Sequence, residues 1–224
     1  MNAPSMYCLV GCGNVFDIIA AETQVYAANT TWEIRPAEGV AQLASTAGKL
    51  LEGIDRLTTR LFIAVDAQAL NYARLELYGV ARLAGLQMAT LVHPTAWVAP
   101  GVRLADNVWL GPGVRVAVGS RIDSDVLINM GARVDEYVHI AAHGWIGAGA
   151  SLGRGVNIGV HSAIGADVCL RAGLQIGRHC TIDHAGIWTR DLKNGSFLEP
   201  ELPVVARIIG PGYSFQSKGL ACDQ

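Results

Sequence analysis

The sequence predicts a three-sided parallel β-solenoid that is preceded by a small α/β domain. Two observations predict the solenoid. From residue 96 onward an aliphatic residue recurs at every sixth position, and the position two residues earlier is mostly small or β-branched. A third observation predicts the α/β domain, because strand patterns alternate with helical patterns over the first ninety residues.

The aliphatic repeat is unbroken from residue 98 to residue 182. Its members are Val98, Leu104, Leu110, Val116, Ile122, Ile128, Val134, Ile140, Ile146, Leu152, Ile158, Ile164, Leu170, Ile176 and Ile182. A helical period of 3.6 residues cannot produce this spacing, whereas three short strands per coil turn one residue in six inward. Glycine often follows the aliphatic residue, as at Gly111 and Gly147. We expect glycine or a polar residue at each corner and coils about 4.8 Å apart.

The first ninety residues predict short strands and helices in alternation. The expected elements are a strand over 6–10, a glycine turn "GCGN", a helix over 15–21, strands over 23–28 and 60–66, a helix within 67–85 and a strand over 86–92. The second helix is indicated by Leu70, Ala73, Leu77, Val80 and Ala84 at helical spacing and by Gly85 at its end. These elements predict a mostly parallel sheet.

The composition excludes several classes of protein. Hydrophobic residues make up 51% of the 224 residues and charged residues 16%, which indicates surface buried between subunits. A net charge of −2 gives no reason to expect nucleic acid or a membrane surface as a partner. The five cysteines include no C-x-x-C pair, which is typical of reduced thiols in the cytoplasm. No signal peptide or membrane span is apparent in the sequence.

The period of six is the hexapeptide repeat, and it resembles the left-handed parallel β-helix. The order of a glycine-loop domain, "LVHPTAWV", the coils, "IWTRDL" and "VVARIIG" resembles one group of hexapeptide-repeat acyltransferases. These are nucleotide-sugar acetyltransferases of the sialic-acid O-acetyltransferase and bacillosamine or perosamine N-acetyltransferase type. Val205 stands where their C-terminal motif usually has proline.

This resemblance implies three segments and a trimer. Residues 1–92 would form a small Rossmann-like domain that holds the nucleotide of a sugar. Residues 93–187 would form the left-handed β-helix, and residues 188–224 an irregular tail. Acetyl-CoA would lie between neighbouring β-helices of a homotrimer.

The position that carries catalysis in the family departs from the family pattern. Counted from His93 and Pro94, the family's histidine falls in "NMGARVDEY" at Glu136, and its acidic partner falls at Tyr137. A carboxylate can act as a base if burial raises its pKa. An amine acceptor demands less of the base than a hydroxyl does, so Glu136 favours N-acylation. The alternative is that Glu136 is a solvated corner residue.

Three histidines are spaced by eighteen residues, which is one coil. His143, His161 and His179 should stack along one edge, and His143 or His161 is a substitute base. The alternative is a solvated ladder. His143, His179 and His184 resemble the zinc ligands of γ-class carbonic anhydrases in spacing but not in register, so we expect no metal.

The resemblance also implies contacts with both substrates. Trp145, Arg154, Arg171 and Arg178 are candidates for acetyl-CoA, with Arg190 and Arg207 as further cations. Gly11, Gly13, Asn14, Asp66 and Arg74 are candidates for the sugar nucleotide. The glycine motif is incomplete, because Phe16 occupies the third glycine position, and no acidic pair follows the strand predicted over 23–28. A dinucleotide cofactor is therefore not expected.

The sequence as a whole predicts a cytoplasmic, trimeric, acetyl-CoA-dependent acyltransferase that acts on an amino or hydroxyl group of a nucleotide-linked sugar. Two other functions stay open at this stage. One is a catalytically silent β-helical binding protein, and the other is a metal-dependent hydratase.

Overall fold

The computed structural model describes residues 6–67, 71–198 and 205–207. The first part is an α/β domain with β1 (Met6–Cys12), α1 (Asn14–Ala21), α2 (Thr23–Tyr26), β2 (Thr31–Pro36), a 3-10 turn (Val40–Gln42), α3 (Leu43–Leu50), β3 (Thr59–Val65), α4 (Tyr72–Leu83) and β4 (Gln87–Met88). The four strands are parallel in the order β2-β1-β3-β4. The central strand β1 is a nearly continuous apolar run because Cys8, Leu9 and Val10 are buried between helices on both faces.

Two of the predicted elements differ from the structure. The predicted strand over 23–28 is wrong, because Thr23–Tyr26 forms a short helix and the second strand is Thr31–Pro36. No residue of this short helix is buried, so the apolar residues of "TQVYAA" (23–28) do not mark a face that packs into a core. The second long helix is α4 (Tyr72–Leu83), which lies within the predicted span of 67–85, and Leu70 lies outside the described residues. The strand over 86–92 is two strands, which belong to different sheets.

From residue 91 the chain winds through strands of two or three residues. They are β5 (Leu91–Val92), β6 (Trp97–Val98), β7 (Arg103–Leu104), β8 (Trp109–Leu110), β9 (Arg115–Val116), β10 (Arg121–Ile122), β11 (Leu127–Ile128), β12 (Arg133–Val134), β13 (His139–Ile140), β14 (Trp145–Ile146), β15 (Ser151–Leu152), β16 (Asn157–Ile158), β17 (Ala163–Ile164), β18 (Val168–Leu170), β19 (Gln175–Ile176), β20 (Thr181–Ile182), β21 (Gly186–Trp188), β22 (Ser196–Leu198) and β23 (Ala206–Arg207).

These strands form three sheets, which are the three sides of a prism. Side one contains β5, β8, β11, β14, β17, β20, β22 and β23; side two contains β6, β9, β12, β15, β18 and β21; side three contains β7, β10, β13, β16 and β19. All pairings are parallel except that of β22 with β23. The stacked parallel strands fit the predicted left-handed β-helix.

The interior of the prism confirms the repeat. Paired residues are one coil of eighteen apart, as in Ile128 with Ile146 and Ile146 with Ile164. The repeat residues from Leu110 to Ile182 are buried, and so are most of the small residues two positions earlier. Burying each Leu, Ile or Val side chain contributes about 1.5–3 kcal/mol relative to leaving it exposed, so the stacked columns are the main stabilising feature of the coils.

The corners carry glycine or a polar residue, as the sequence predicts, but two residues further along than the glycines that follow the aliphatic residues. The glycines that follow the aliphatic residues do not form the turns. A Cβ on Gly147 or Gly159 would lie 2.4 or 2.6 Å from the backbone of the next coil, so glycine is required there for close packing. The turns lie two residues further on, where the backbone is left-handed, as at Gly149 (φ 68°) and His161 (φ 58°).

The α/β domain packs against side one of the β-helix. Trp109 and Leu127 point outward from side one and are buried against Leu9 and Phe62 of the α/β sheet. The indole N–H of Trp109 donates to the Tyr26 hydroxyl at 2.9 Å. These contacts make side one a junction between the two parts of the chain.

The segment after residue 187 is more regular than predicted. β22 pairs with β20 and extends side one, and β23 pairs with β22 in the opposite direction. Residues 199–204 and 208–224, which contain Cys222 and most of the predicted tail, lie outside the described residues. The described cysteines form no disulfide.

Candidate active site

A polar column follows the edge between sides three and one. Its members are Asn107, Asp125, His143, His161 and His179, each eighteen residues after the one before. All five have a positive φ between 52° and 60° because they occupy the left-handed turn position of successive coils. Asn and Asp are the non-glycine residues that tolerate this conformation best, and His is also enriched there.

Asp125 is the charged centre of this polar column. It is fully buried, and its carboxylate accepts from Asn107 Nδ2 at 2.7 Å, Arg74 Nε at 3.1 Å and His143 Nδ1 at 2.8 Å. Arg74 is also fully buried, and its other nitrogens donate to the carbonyl groups of Val65, Asp125 and Gly144. A buried ion pair in which each guanidinium nitrogen has an acceptor fixes α4 against the β-helix.

The three histidine rings are stacked, as their spacing predicts. The ring centroids of His143 and His161 are 4.7 Å apart, and those of His161 and His179 are 5.1 Å apart. Tyr72 of α4 stacks on His161, and its hydroxyl lies 3.3 Å from Nδ1 of His179. Burial and the nearby charge of Arg178 lower the pKa of His179.

The alternative that the three histidines form a solvent-exposed ladder is wrong. The side chain of His143 is 14% exposed, and His161 as a whole residue is 9% exposed. The backbone carbonyl of His143 also accepts from Asn71 Nδ2, so α4 covers this edge. Sequence spacing located the column, but only the packing of α4 explains why it is buried.

Glu136 lies on a different edge, between sides two and three. Its side chain is exposed, while its backbone carbonyl accepts from the N–H of Gly155 in the next coil. Tyr137 beside it is 58% exposed, and the guanidinium of Arg154 lies 5.4 Å from the centroid of the Tyr137 ring. A carboxylate, a phenol and a cation therefore meet on one open edge.

The residues suggested for acetyl-CoA are divided between the edges. Arg154 and Arg171 are exposed and belong to neighbouring coils along the edge that carries Glu136. Arg178 is exposed on the other edge, beside His179. Trp145 points outward from side one and packs against the core shared with the α/β domain. The side chain of Arg207 lies outside the described residues, and Arg190 is exposed.

The residues suggested for the sugar nucleotide are also divided. Gly11 lies near the end of β1, Gly13 connects β1 to α1, and Asn14 begins α1; Asp66 lies directly against this turn. Arg74 lies instead in the buried junction, where all three of its nitrogens are bonded to protein groups. The second strand is β2 (Thr31–Pro36), and it is followed by Ala37 and Glu38. The search for an acidic pair after the strand predicted over 23–28 therefore referred to the wrong position.

The sequence analysis missed the residues that hold the polar column in place. Asn107 and Asp125 continue the eighteen-residue spacing of the histidines toward the N-terminus, and this signal could have found them. Tyr72 and Tyr78 lie on α4, and the Tyr78 ring is edge-on to His143 with centroids 5.7 Å apart. Nothing in the spacing of α4 indicates which edge of the β-helix it covers.

The described part of the chain contains no group of three or more His, Cys, Asp or Glu side chains that could hold a metal ion. His143 and His179 are separated by the ring of His161, so the described geometry gives the hydratase hypothesis no support. Within the same residues, every helix is too short or too polar to span a membrane.

Comparisons with known proteins give structural matches only. No protein-family model and no curated protein sequence matches the chain. The acetyltransferase domain of PglB from Neisseria gonorrhoeae FA1090 matches with a TM-score of 0.75 and 20% identity, over 91% of this chain and 100% of that domain. A variant of GDP-perosamine N-acetyltransferase from Caulobacter crescentus, in complex with CoA and GDP-perosamine, matches with a TM-score of 0.69 and 25% identity, over 85% of this chain and 91% of the other. The resemblance predicted from the sequence motifs is confirmed by these structures.

Proposed function

We propose that this chain is an acetyl-CoA-dependent acyltransferase that acylates an amino group of a nucleotide-linked sugar. One observation carries the proposal. The similarity to the perosamine N-acetyltransferase extends over the α/β domain and the β-helix together, and that structure holds CoA and GDP-perosamine at once. A single shared domain would suggest only a fold, whereas two domains in the same order supply both halves of a transfer site.

Glu136 is the proposed base. A neutral amine attacks the thioester carbonyl and forms the C–N bond, and a nearby carboxylate takes the proton that this bond makes acidic. The C–S bond then breaks, and CoA leaves as a thiolate that gains a proton to become the free thiol. Glu136 is exposed in the single chain, so a substrate can reach it, and the burial that a carboxylate base requires would come from the bound substrates and a neighbouring chain. Arg154 and Arg171 on the same edge are the proposed contacts for the phosphates of CoA.

His143 is the competing base. Asp125 accepts a hydrogen bond from His143 Nδ1 at 2.8 Å, which fixes the tautomer and leaves Nε2 as the basic nitrogen. This is a favourable arrangement for general base catalysis, but α4 restricts access to the ring, whose side chain is 14% exposed. His161 lies deeper in the same stack and is the weaker candidate of the two.

A homotrimer is proposed to form through side two. Most of the large exposed apolar residues of the coils belong to this side: Trp97 and Ile187 lie on its face, Val118 and Tyr137 at one edge and Met130 at the other. Arg115 and Arg133 lie between Trp97 and Ile187 on the same face, so the proposed contact would be mixed rather than purely apolar. A neighbouring chain on side two would lie beside Glu136 and would complete a groove for CoA. Trp145 and Arg178 of an adjacent chain are further candidates for contacts with CoA in that groove.

The α/β domain, residues 1–92, is proposed to be Rossmann-like and to bind the nucleotide of the acceptor near Gly11, Gly13, Asn14 and Asp66. Arg74 is proposed to act indirectly, through the position of α4. Residues 93–187 would carry the transfer site, and residues 188–224 would close the β-helix. We place the protein in the cytoplasm, where acetyl-CoA is available.

Release of free CoA thiol tests the proposal. Purified protein is incubated with acetyl-CoA and a panel of nucleotide-linked amino sugars, and hydroxyl-only analogues serve as the comparison. Acetyl-CoA should also raise the melting temperature by mass action. No thiol release and no thermal shift would favour the silent binding protein, and zinc near one equivalent per chain would favour the hydratase.

Two variants assign the base. Glu136→Gln keeps the size of the side chain and removes its basicity, so it should reduce kcat by about a hundredfold or more with little change in KM. His143→Asn keeps a residue that tolerates the left-handed turn and should retain activity within about threefold. The reverse pattern would transfer the base role to His143.

A further inference from the structure

The glycine loop lies where an open α/β sheet ordinarily binds its ligand. The strand order β2-β1-β3-β4 changes direction between β1 and β3, because β2 lies on one side of β1 and β3 on the other. Ligands of such sheets bind outside the carboxyl ends of the strands at this switch point. The first N–H groups of the following helix lack helical partners, so this position generally favours a phosphate.

The carboxylate of Asp66 already fills this position. Asp66 directly follows β3, and the pairing of Cys12 with Val65 brings the ends of β1 and β3 together. Asp66 Oδ2 accepts from the Asn14 N–H at 2.7 Å, and Oδ1 accepts from the Val15 N–H at 3.0 Å. These are the first two N–H groups of α1, which a phosphate at the helix N-terminus would use.

The two glycines have structural reasons that involve no ligand. A Cβ on Gly11 would lie 1.7 Å from the carbonyl oxygen of Ala64 in β3, so only glycine fits between the strands. A Cβ on Gly13 would lie 2.6 Å from the carboxylate of Asp66, and its φ of 98° also favours glycine. The Gly-x-Gly pattern is thus explained by the approach of β3 and Asp66.

The charges around the loop are also unfavourable for a phosphate. Asp17 adds a second exposed carboxylate in the first turn of α1. Burial raises the pKa of Cys12, and the negative charges of Asp66 and Asp17 raise it further. Arg35, at the end of β2, is paired with Glu33 and donates to the carbonyl groups of residues 50 and 52.

We propose that Asp66 is a specificity-determining residue that closes the glycine loop to phosphate groups. In the nucleotide-linked acceptor proposed above, on which this inference rests, the diphosphate then lies away from the N-terminus of α1. The α/β domain recognises the acceptor through its nucleoside or sugar groups. A chain with a small neutral residue in place of Asp66 would have an ordinary phosphate-binding loop.

The test follows the amide signals of Asn14 and Val15 in nitrogen-15 NMR spectra of the full-length protein. Inorganic pyrophosphate, uridine diphosphate and uridine are titrated separately, each with saturating CoA present so that the CoA site does not compete. The variants are Asp66→Ser, which frees at least one of the two N–H groups, and Asp66→Asn, which keeps the shape and removes the charge. Asp17→Asn is the control, since it removes an equal charge from the same helix turn without freeing an N–H group.

In the unsubstituted protein and in Asp17→Asn, the two amide signals should not move with pyrophosphate, and any movement with uridine diphosphate should be the same with uridine alone. In Asp66→Ser they should move with pyrophosphate, with an affinity at least about tenfold higher. If Asp66→Ser does not fold, Asp66→Asn should show the same change to a smaller degree. Movement of these signals with pyrophosphate in the unsubstituted protein, or no gain in pyrophosphate affinity in the folded Asp66 variants, overturns the proposal. Thiol release decides the acyltransferase function separately, so the two failures are distinguishable.

Discussion

Lowering the pH should destabilise this protein through the histidine stack. Neighbouring rings are 4.7 and 5.1 Å apart, so two adjacent imidazolium ions would repel each other by about 3 kcal/mol at an effective dielectric constant of 20. Asp125 is the negative charge that faces the stack, and it is already paired with Arg74. Each further positive charge on the stack therefore adds repulsion between neighbouring rings.

His179 allows the sign of the effect to be worked out. Its pKa is lowered by burial and by Arg178, so the folded state binds fewer protons than the unfolded state. Stability is then complete above the unfolded value of about 6.5 and is lost as the pH falls through that value. A ring that stayed neutral in the folded protein from pH 7.5 to 5.5 would account for about 1.4 kcal/mol. Because His179 is partly exposed, solvent screening reduces this contribution to about 0.5–1 kcal/mol.

The measurement is urea denaturation at pH 7.5, 6.5 and 5.5, with the free energy of unfolding compared at each pH. His179→Asn keeps a residue that tolerates the turn and removes the titrating ring, so its loss of stability over this range should be smaller by about 0.5–1 kcal/mol. His184→Asn is the matched control, because His184 is exposed and outside the stack. Equal slopes for His179→Asn and the unsubstituted protein would refute the reasoning, as would an equal flattening in His184→Asn.

Two further predictions concern the junction between the α/β domain and the β-helix. Arg74→Met should lower the free energy of unfolding by about 3–5 kcal/mol in urea, because it leaves the buried charge of Asp125 without its cation. Arg82→Met, which breaks a pair with Asp106 that is partly exposed, should cost less than about 1 kcal/mol, and similar losses in the two variants would contradict the ion-pair explanation. Tyr26→Phe should cost about 1–3 kcal/mol in the same assay, since it removes the acceptor of a buried indole N–H; a loss below about 0.5 kcal/mol would show that the bond contributes little.

The β-helix was predictable because its information is local and repeated. Every coil restates the same pattern, so one misleading residue cannot shift the register of residues such as Ile146. The same arithmetic predicted the stacking of His143, His161 and His179. By contrast, "TQVYAA" is a single short segment, and no neighbouring repeat could correct its assignment as a strand.

The contacts that decide the chemistry were not predictable from spacing. Arg74 is 51 residues from Asp125, and Asp66 is 52 residues from Asn14. Both contacts depend on how one element packs against another. The composition of the two elements does not indicate that packing. Asp66 and Arg74 were both assigned to substrate from the sequence, whereas the structure shows each satisfied by groups of the protein itself.

The two polar edges of the β-helix differ in what completes them. On the edge that carries Asp125 and His143, α4 of the same chain supplies hydrogen-bond partners, so a single chain covers this edge. The edge that carries Glu136 and Tyr137 is exposed, and no described segment of the chain covers it. A buried edge contributes stability, whereas an uncovered edge is available to a substrate. This difference is the physical reason to seek the proposed transfer site beside Glu136. If a neighbouring chain of the proposed trimer forms part of that site, dilution that separates the chains should abolish thiol release while the histidine stack stays intact.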